Sequence, residues 1–158
     1  MRGAGMVAQW LLVGAILING LLAGLYFAFA CSVVLAFARL DDAAYVTAFR
    51  LINTAILNRW FLPVFFLAPA LALVAVGARA AEGDLGAAGV LGAAASAATF
   101  LITVAANVPL NRRLDAAPTA SGVELRAARD AFEGPWRRWN LVRAVTGAVA
   151  VLALAAAA

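Results

Sequence analysis

An all-α integral membrane fold, a four-helix transmembrane bundle forming a single membrane domain over residues 1–158, is predicted by three observations. Hydrophobic residues make up 66% of the chain and charged residues 13%, against about 45–50% and about 25% in soluble domains. The apolar residues fall into four long runs. All twelve basic residues are arginine, and they are spread very unevenly over the segments between those runs.

The first run extends from about Val7 to Ala38, interrupted by few polar side chains, Gln9, Asn19 and Ser32 among them. As a helix it would reach roughly 45–50 Å, more than a hydrocarbon core of about 30 Å, so it must tilt or project from the bilayer. A secretory signal is the competing reading, with Ala28-Phe29-Ala30 as a cleavage pattern. The apolar stretch outruns a signal's apolar region of about 7–15 residues and continues past Cys31, so no cleavage is expected. Gly20 and Gly24 form a GxxxG pattern that predicts close helix packing, and Cys31 is expected to be a small buried hydrophobe. The second run covers about Trp60 to Ala78. The third covers about Leu85 to Leu110, rich in alanine and glycine, and the fourth about Asn140 to Ala158.

Two intervening segments carry their own structure. In loop one (Arg39 to Arg59) Asp41-Asp42 can cap a helix, and Tyr45, Val46, Phe49, Leu51, Ile52 and Ile56 give it an apolar side. A short interfacial helix is expected there. Loop three (Asn111 to Arg138) has a turn at 118–122, then a polar helix over roughly Val123 to Phe132, which Gly134-Pro135 is expected to stop. The N-terminus and loop two hold Arg2 and Arg79, whereas loops one and three with their flanks hold the other ten arginines. That asymmetry predicts loops one and three in the cytoplasm and both termini outside. The membrane is expected to be a bacterial inner (plasma) membrane.

The same counts exclude chemistries. The chain has no histidine and one cysteine. It therefore offers no imidazole metal ligand, no histidine-based triad, no His-ligated haem and no intrachain disulfide. It contains no GxGxxG or P-loop pattern, so nucleotide and flavin sites lack support. The arginines lie beside membrane-length runs and do not predict nucleic-acid binding.

Polar residues near the spans gather at one end of the bundle. Trp136, Trp139, Asn140 and Arg143 are spaced to share one helix face. Asn107 and Asn111 are four apart with Pro109 between them, and the proline should open the helix ladder near Ala105. Arg143 lies within a span, where a charge normally needs a partner, and Asp115 or Asp41 could supply it. Asn107, Asn111, Trp139 and Arg143 are expected to converge on one cavity. Tryptophan and arginine at a helix end can instead be interfacial anchors, and Asn58 and Asn111 can be helix caps. Asn19 and Tyr26 are seven apart and share a face of the first helix.

These pieces, in this order, resemble the anthrone oxygenase-like (noranthrone monooxygenase-like) family of small membrane proteins. The resemblance rests on the long first helix, loop one with Asn53 and Asn58, the Asn107-Val-Pro-Leu-Asn111 signature and Trp139-Asn140-x-x-Arg143. The family commonly has proline after the second loop-one asparagine. Here Arg59 follows Asn58, and the local turn is expected to differ.

The resemblance implies four transmembrane helices and, as in characterised relatives, oxidation of anthrones to anthraquinones. The expected activity is a cofactor-independent oxidation by dioxygen of a hydrophobic aromatic, anthrone-like or phenol- or quinone-like. The chemistry requires a flat apolar pocket, an oxyanion site and a base. Trp136 or Trp139 would stack on the rings, with Asn53, Asn58 and Tyr26 also lining the pocket. Asn107, Asn111 and Asn140 would donate to the oxyanion and Arg143 would supply charge. Asp115 is the first choice of base, then Asp41 or Tyr26. The expected partners are the hydrophobic aromatic, dioxygen and the lipid bilayer, with no cofactor and no metal. A homo-oligomer is compatible with all of this. The alternative is a non-catalytic membrane protein, a small-molecule carrier or an assembly or stress partner, whose polar cluster is structural.

Overall fold

The protein is described from a computed structural model covering the backbone of residues 2–158 and the side chains of residues 5–158. Helix α1 runs through Arg2–Ala28, a π-helical turn at Phe29–Val33 and a last α turn at Val34–Phe37. Helix α2 is Asp42–Ala55 and α3 is Phe61–Ala81. Helix α4 comprises Ala87–Ile102, a second π turn at Thr103–Asn107 and Val108–Ala116. Helix α5 is Gly122–Ala156. Among the described residues every regular element is helical. Four stretches are long and apolar enough to cross a membrane: Gly5–Phe37, Phe61–Ala81, Ala87–Ala116 and Gly122–Ala156.

The four long helices close a ring in which α1 packs on α3 and α5, and α4 packs on α5 and α3. Small residues allow the close approach. Ala72, Ala75, Ala93 and Ala15 surround Leu12 and Leu154 in one core cluster. A Cβ on Gly92 would lie 2.9 Å from the Leu154 backbone nitrogen, and one on Gly147 3.3 Å from the Ala23 Cα. With lipid outside being as apolar as leucine, close backbone packing and buried polar contacts hold such a bundle. The main polar contact is Asn19, whose Nδ2 donates to the carbonyls of Ala15 (2.9 Å) and Ala68 (3.2 Å) and whose Oδ1 accepts from Ser96 Oγ (2.7 Å). It ties α1, α3 and α4 together.

Several sequence expectations are corrected. Gly20 and Gly24 do not mediate packing: a Cβ on either meets nothing within 4 Å, and α1 presents Ala23 to α5 instead. Cys31 is exposed, because the π turn carries it to the outside of α1. Gly134-Pro135 does not stop a helix, and the loop-three helix and the fourth span form one 35-residue helix. Proline crowds the Cβ of the residue before it, and Gly134 has none. Phe132 and Trp136, on either side of the proline, are both buried in one core cluster and hold the axis continuous. Ser121 starts α5 with a capping box, accepting from Glu124 N while Glu124 Oε2 accepts from Ser121 N.

Helix α2 is more than a surface helix. Asp41 Oδ1 caps it through Ala44 N at 2.8 Å. Tyr45, Val46, Phe49 and Asn53 are buried, with Phe49 packed against Phe132 and Trp136. Arg50 donates to the carbonyls of Leu114 (2.8 Å) and Ala117 (2.7 Å), satisfying groups that the end of α4 leaves open. Arg129 binds Asp42, Glu133 and the carbonyls of Leu40 and Ala38, which fastens the α1–α2 corner to α5. Burial pushes the nearby Tyr45 phenol up from its ordinary pKa, and Glu133 adds to the shift against the opposing charges of Arg129 and Arg137. Helix α2 thus seals the arginine-rich end of the bundle.

Gly92→Ala should lower stability by about 1–3 kcal/mol, because its methyl group would overlap the Leu154 backbone. Gly24→Ala, in open space, should stay within about 0.5 kcal/mol. Thermal unfolding of both variants in detergent checks this pair.

Candidate functional site

Beneath α2 lies a cavity of about 260 Å³. All five helices contribute to it: Tyr26 and Phe29 from α1, Ile52 and Asn53 from α2, Phe61 and Phe65 from α3, Thr103, Asn107, Asn111 and Asp115 from α4, and Trp136, Asn140 and Arg143 from α5. Both π turns border it. Pro109 explains the second, since it cannot donate to the carbonyl of Ala105, inside that turn. The first contains no proline or glycine. Thr103, Asn107, Asn111 and Asp115 recur at every fourth residue. In a regular α-helix that spacing drifts by about 40° a step. The wider π turn takes up part of the drift and keeps all four on the cavity.

Arg143 is the centre of the deep end. It is 6% exposed, and among the described residues no carboxylate forms an ion pair with it. The expected pairing with Asp115 or Asp41 does not occur. Asp41 is used in capping α2, and Asp115 Oδ1 accepts from Asn53 Nδ2 at 3.1 Å. Arg143 Nη2 instead donates to Asn140 Oδ1 at 2.9 Å and Nη1 to Thr103 Oγ1 at 3.5 Å. Asn140 is in turn held by the Tyr26 carbonyl at 3.0 Å. The guanidinium lies 4.3 Å from the Tyr26 ring centroid and 5.6 Å from that of Trp136. Such cation–π contacts favour the cation when it is desolvated. They do not neutralise its charge.

The remaining polar atoms are poised rather than satisfied. Asn107 is 1% exposed, yet neither end of its carboxamide has a hydrogen-bond partner. Tyr26 Oη and Arg143 Nε are also buried without partners. Asn111 Oδ1 accepts from Trp136 Nε1 at 2.9 Å, which orients both side chains and makes Asn111 a positioning group, not a helix cap. Buried polar groups are ordinarily paired, and several unpaired ones facing one cavity mark a place for a ligand. Apart from Arg112, the rest of the wall is apolar and aromatic, with Phe29 at 5.7 Å from Trp136 and Phe65 stacked on Phe61 at 5.7 Å.

Eight sequence-selected residues share this cavity: Asn107, Asn111, Arg143, Asp115, Trp136, Asn140, Asn53 and Tyr26. Two do not. Trp139 is 42% exposed on the outer surface. At 3.6 residues per turn it sits about 60° round the helix from Trp136, while Asn140 and Arg143 lie closer to the inward direction. Asn58 is a helix-end clamp. Its Oδ1 accepts from Trp60 N (2.9 Å) and Phe61 N (3.0 Å), and its Nδ2 donates to the Ala55 carbonyl (2.8 Å). Sequence reasoning missed Thr103 and Phe29. Thr103 was signalled by the four-residue spacing to Asn107. Phe29 reaches the cavity through a π turn that nothing local foretells.

Residues 53–153 match the family model for anthrone oxygenase. The chain belongs to the anthrone oxygenase family. A search of curated proteins and of solved structures finds no match. The family match takes in the cavity residues of α4 and α5 together with Asn53, and leaves out Tyr26 and Phe29 of α1, which close the cavity from the other side.

If the Asn107 carboxamide is kept for a ligand, Asn107→Leu should hold or raise the melting temperature, by up to about 1–2 kcal/mol of stability, while abolishing ligand binding. Asn19→Leu strands Ser96 and should lower stability by about 1–3 kcal/mol. Melting curves and binding of an aromatic ligand, read by quenching of tryptophan fluorescence, separate the two.

Proposed function

We propose that this membrane protein is a cofactor-independent oxygenase that binds a planar, hydrophobic and weakly acidic aromatic, an anthrone or a related phenol, as its anion. The observation that carries this reading is Arg143, a buried cation without a carboxylate, facing an aromatic-walled cavity. A buried charge is costly unless compensated. An enolate or phenolate oxygen brought against Arg143 and the free Asn107 amide supplies that compensation.

The chemistry then follows from the substrate. A base removes a benzylic proton, and Asp115, the cavity's carboxylate, serves near the mouth with Asn53 orienting it. The carbanion donates electrons to dioxygen and a C–O bond forms. The peroxide anion takes up a proton. Loss of the second benzylic proton with cleavage of the O–O bond leaves a ketone and releases water. Both oxygen atoms are accounted for, one in the quinone and one in water, and all four electrons come from the substrate. A chain without histidine that offers one cysteine suits such a route. Trp136 and Phe29 hold the rings flat while Arg143 stabilises the oxyanion through both the enolate and peroxide stages.

The arginine-rich end, where α2 seals the bundle and Asp115 marks the mouth, is assigned to the cytoplasm with both termini outside. A phosphatase fused after Ala158 should then be active, and a green fluorescent protein fused there dark. The opposite pattern reverses the orientation.

Purified protein in detergent with chelator should convert an anthrone to its quinone with uptake of one dioxygen per turnover. Arg143→Gln should lower the rate by about 10²–10³-fold, the scale of losing an oxyanion donor. Arg143→Lys should retain part of it. Binding of several aromatic anions without turnover above the enzyme-free control would identify a carrier instead.

A further inference from the structure

On the outside of the bundle, away from the cavity, Arg137 and Arg138 line a second recess of about 350 Å³ between α5 and the end of α1. Ala30 and Val34 of α1 and Gly134 and Leu141 of α5 complete its lining. Small residues make it. Gly134 contributes no side chain, and a Cβ there would meet nothing within 4 Å. Ala30 sits in the π turn and presents only a methyl group.

The two guanidiniums are chemically available. Arg129, Arg79 and Arg126 pair with carboxylates, whereas neither Arg137 nor Arg138 makes an ion pair or a side-chain hydrogen bond among the described residues. From the recess toward the middle of the bundle, Leu141, Val145 and Val149 follow at four-residue spacing on α5, and all three are exposed. Two cationic forks above a continuous apolar track complement an anionic head group with a long hydrocarbon chain. A guanidinium matches phosphate in charge and in planar donor geometry. Basic recesses between membrane helices take such head groups.

We propose that this recess binds an anionic phospholipid, its phosphate between Arg137 and Arg138 and an acyl chain along Leu141, Val145 and Val149. The site is independent of the proposed oxygenase reading, since it shares no lining residue with the cavity.

The test uses purified protein in zwitterionic detergent, with phosphatidylglycerol, phosphatidylcholine or inorganic phosphate added. Native mass spectrometry and melting temperature are the readouts. Phosphatidylglycerol should stay bound and raise the melting temperature, while phosphatidylcholine and inorganic phosphate should do neither. Arg137→Gln with Arg138→Gln should weaken phosphatidylglycerol by about tenfold or more. Ala30→Phe, which fills the recess and keeps both charges, should weaken it as well. Arg59→Gln with Arg113→Gln, two exposed arginines elsewhere, should leave it unchanged. Equal retention of phosphatidylcholine overturns the proposal, as does unchanged binding in the Ala30→Phe variant, which would reduce the effect to net charge. So does a dimer that Ala30→Phe dissociates, because a second copy would then fill the recess. Should the double arginine variant not fold, Ala30→Phe and the lipid comparison decide the matter.

Discussion

The cationic side chain of Arg143 within a membrane-spanning helix constrains the rest of this structure. A charge at that depth must be held, and among the described residues it is held without a carboxylate. Asn140 and Thr103 accept from it, and the rings of Tyr26 and Trp136 face it. These contacts occupy Nη1 and Nη2, leave Nε without a partner and leave the positive charge uncancelled. The cavity beside it is therefore a place where an anion is more stable than in the lipid around it, and the orphaned Asn107 amide and Tyr26 hydroxyl lie in the same space.

Much of the architecture can be understood as support for that arrangement. The two π turns lie on α1 and α4 beside the cavity, where they re-aim Phe29 and Asn107. Helix α5 stays unbroken through Pro135, so Phe132, Trp136, Asn140 and Arg143 share one rigid element. Helix α2 closes the cavity from the loop side, fixed by Arg50 on the end of α4 and by Arg129 on the corner after α1. The opposite half of the bundle is built differently. Alanine and glycine bring backbones together there, and the Asn19–Ser96 contact is fully paired. One polar centre is satisfied and holds the helices; the other is unsatisfied and is open to a ligand. That contrast separates the two asparagines more clearly than depth or residue type does: Asn19 is fully paired, and Asn107 has no partner.

Membership of the anthrone oxygenase family and the geometry of the cavity meet on the same residues. The family match covers Asn53, the Asn107–Asn111 pair and the Trp136–Arg143 segment, and these are brought together from three helices. The aromatic walls and the buried, uncompensated Arg143 suit a flat, weakly acidic aromatic, as proposed.

The sequence by itself determined the membrane character, the four spans and the clustering of arginines and carboxamides at one end, because these depend on run length and composition. It also located the disturbance at Ala105, since proline acts on the carbonyl four residues back whatever the fold. Among the cavity residues, Tyr26, Asn107, Asn140 and Arg143 were legible for a similar reason: polar side chains in a span are few and tend to face inward. Asn111, Asp115 and Trp136 followed from their spacing to these, and Asn53 from the family resemblance. Only the tertiary structure decided which way each one turned. Trp139 and Trp136 are equivalent in the sequence pattern, but the orientation of α5 exposes one and buries the other. Asn58 and Asn53 are both loop-one carboxamides, yet one clamps a helix start and the other reaches Asp115. Gly20-x-x-x-Gly24 predicted packing that occurs at Gly92 and Gly147 instead, because the contact depends on which helices meet. Above all, nothing local in the chain showed that Arg143 would find no carboxylate. A missing partner is a property of distance between helices, and distance is fixed only when they pack.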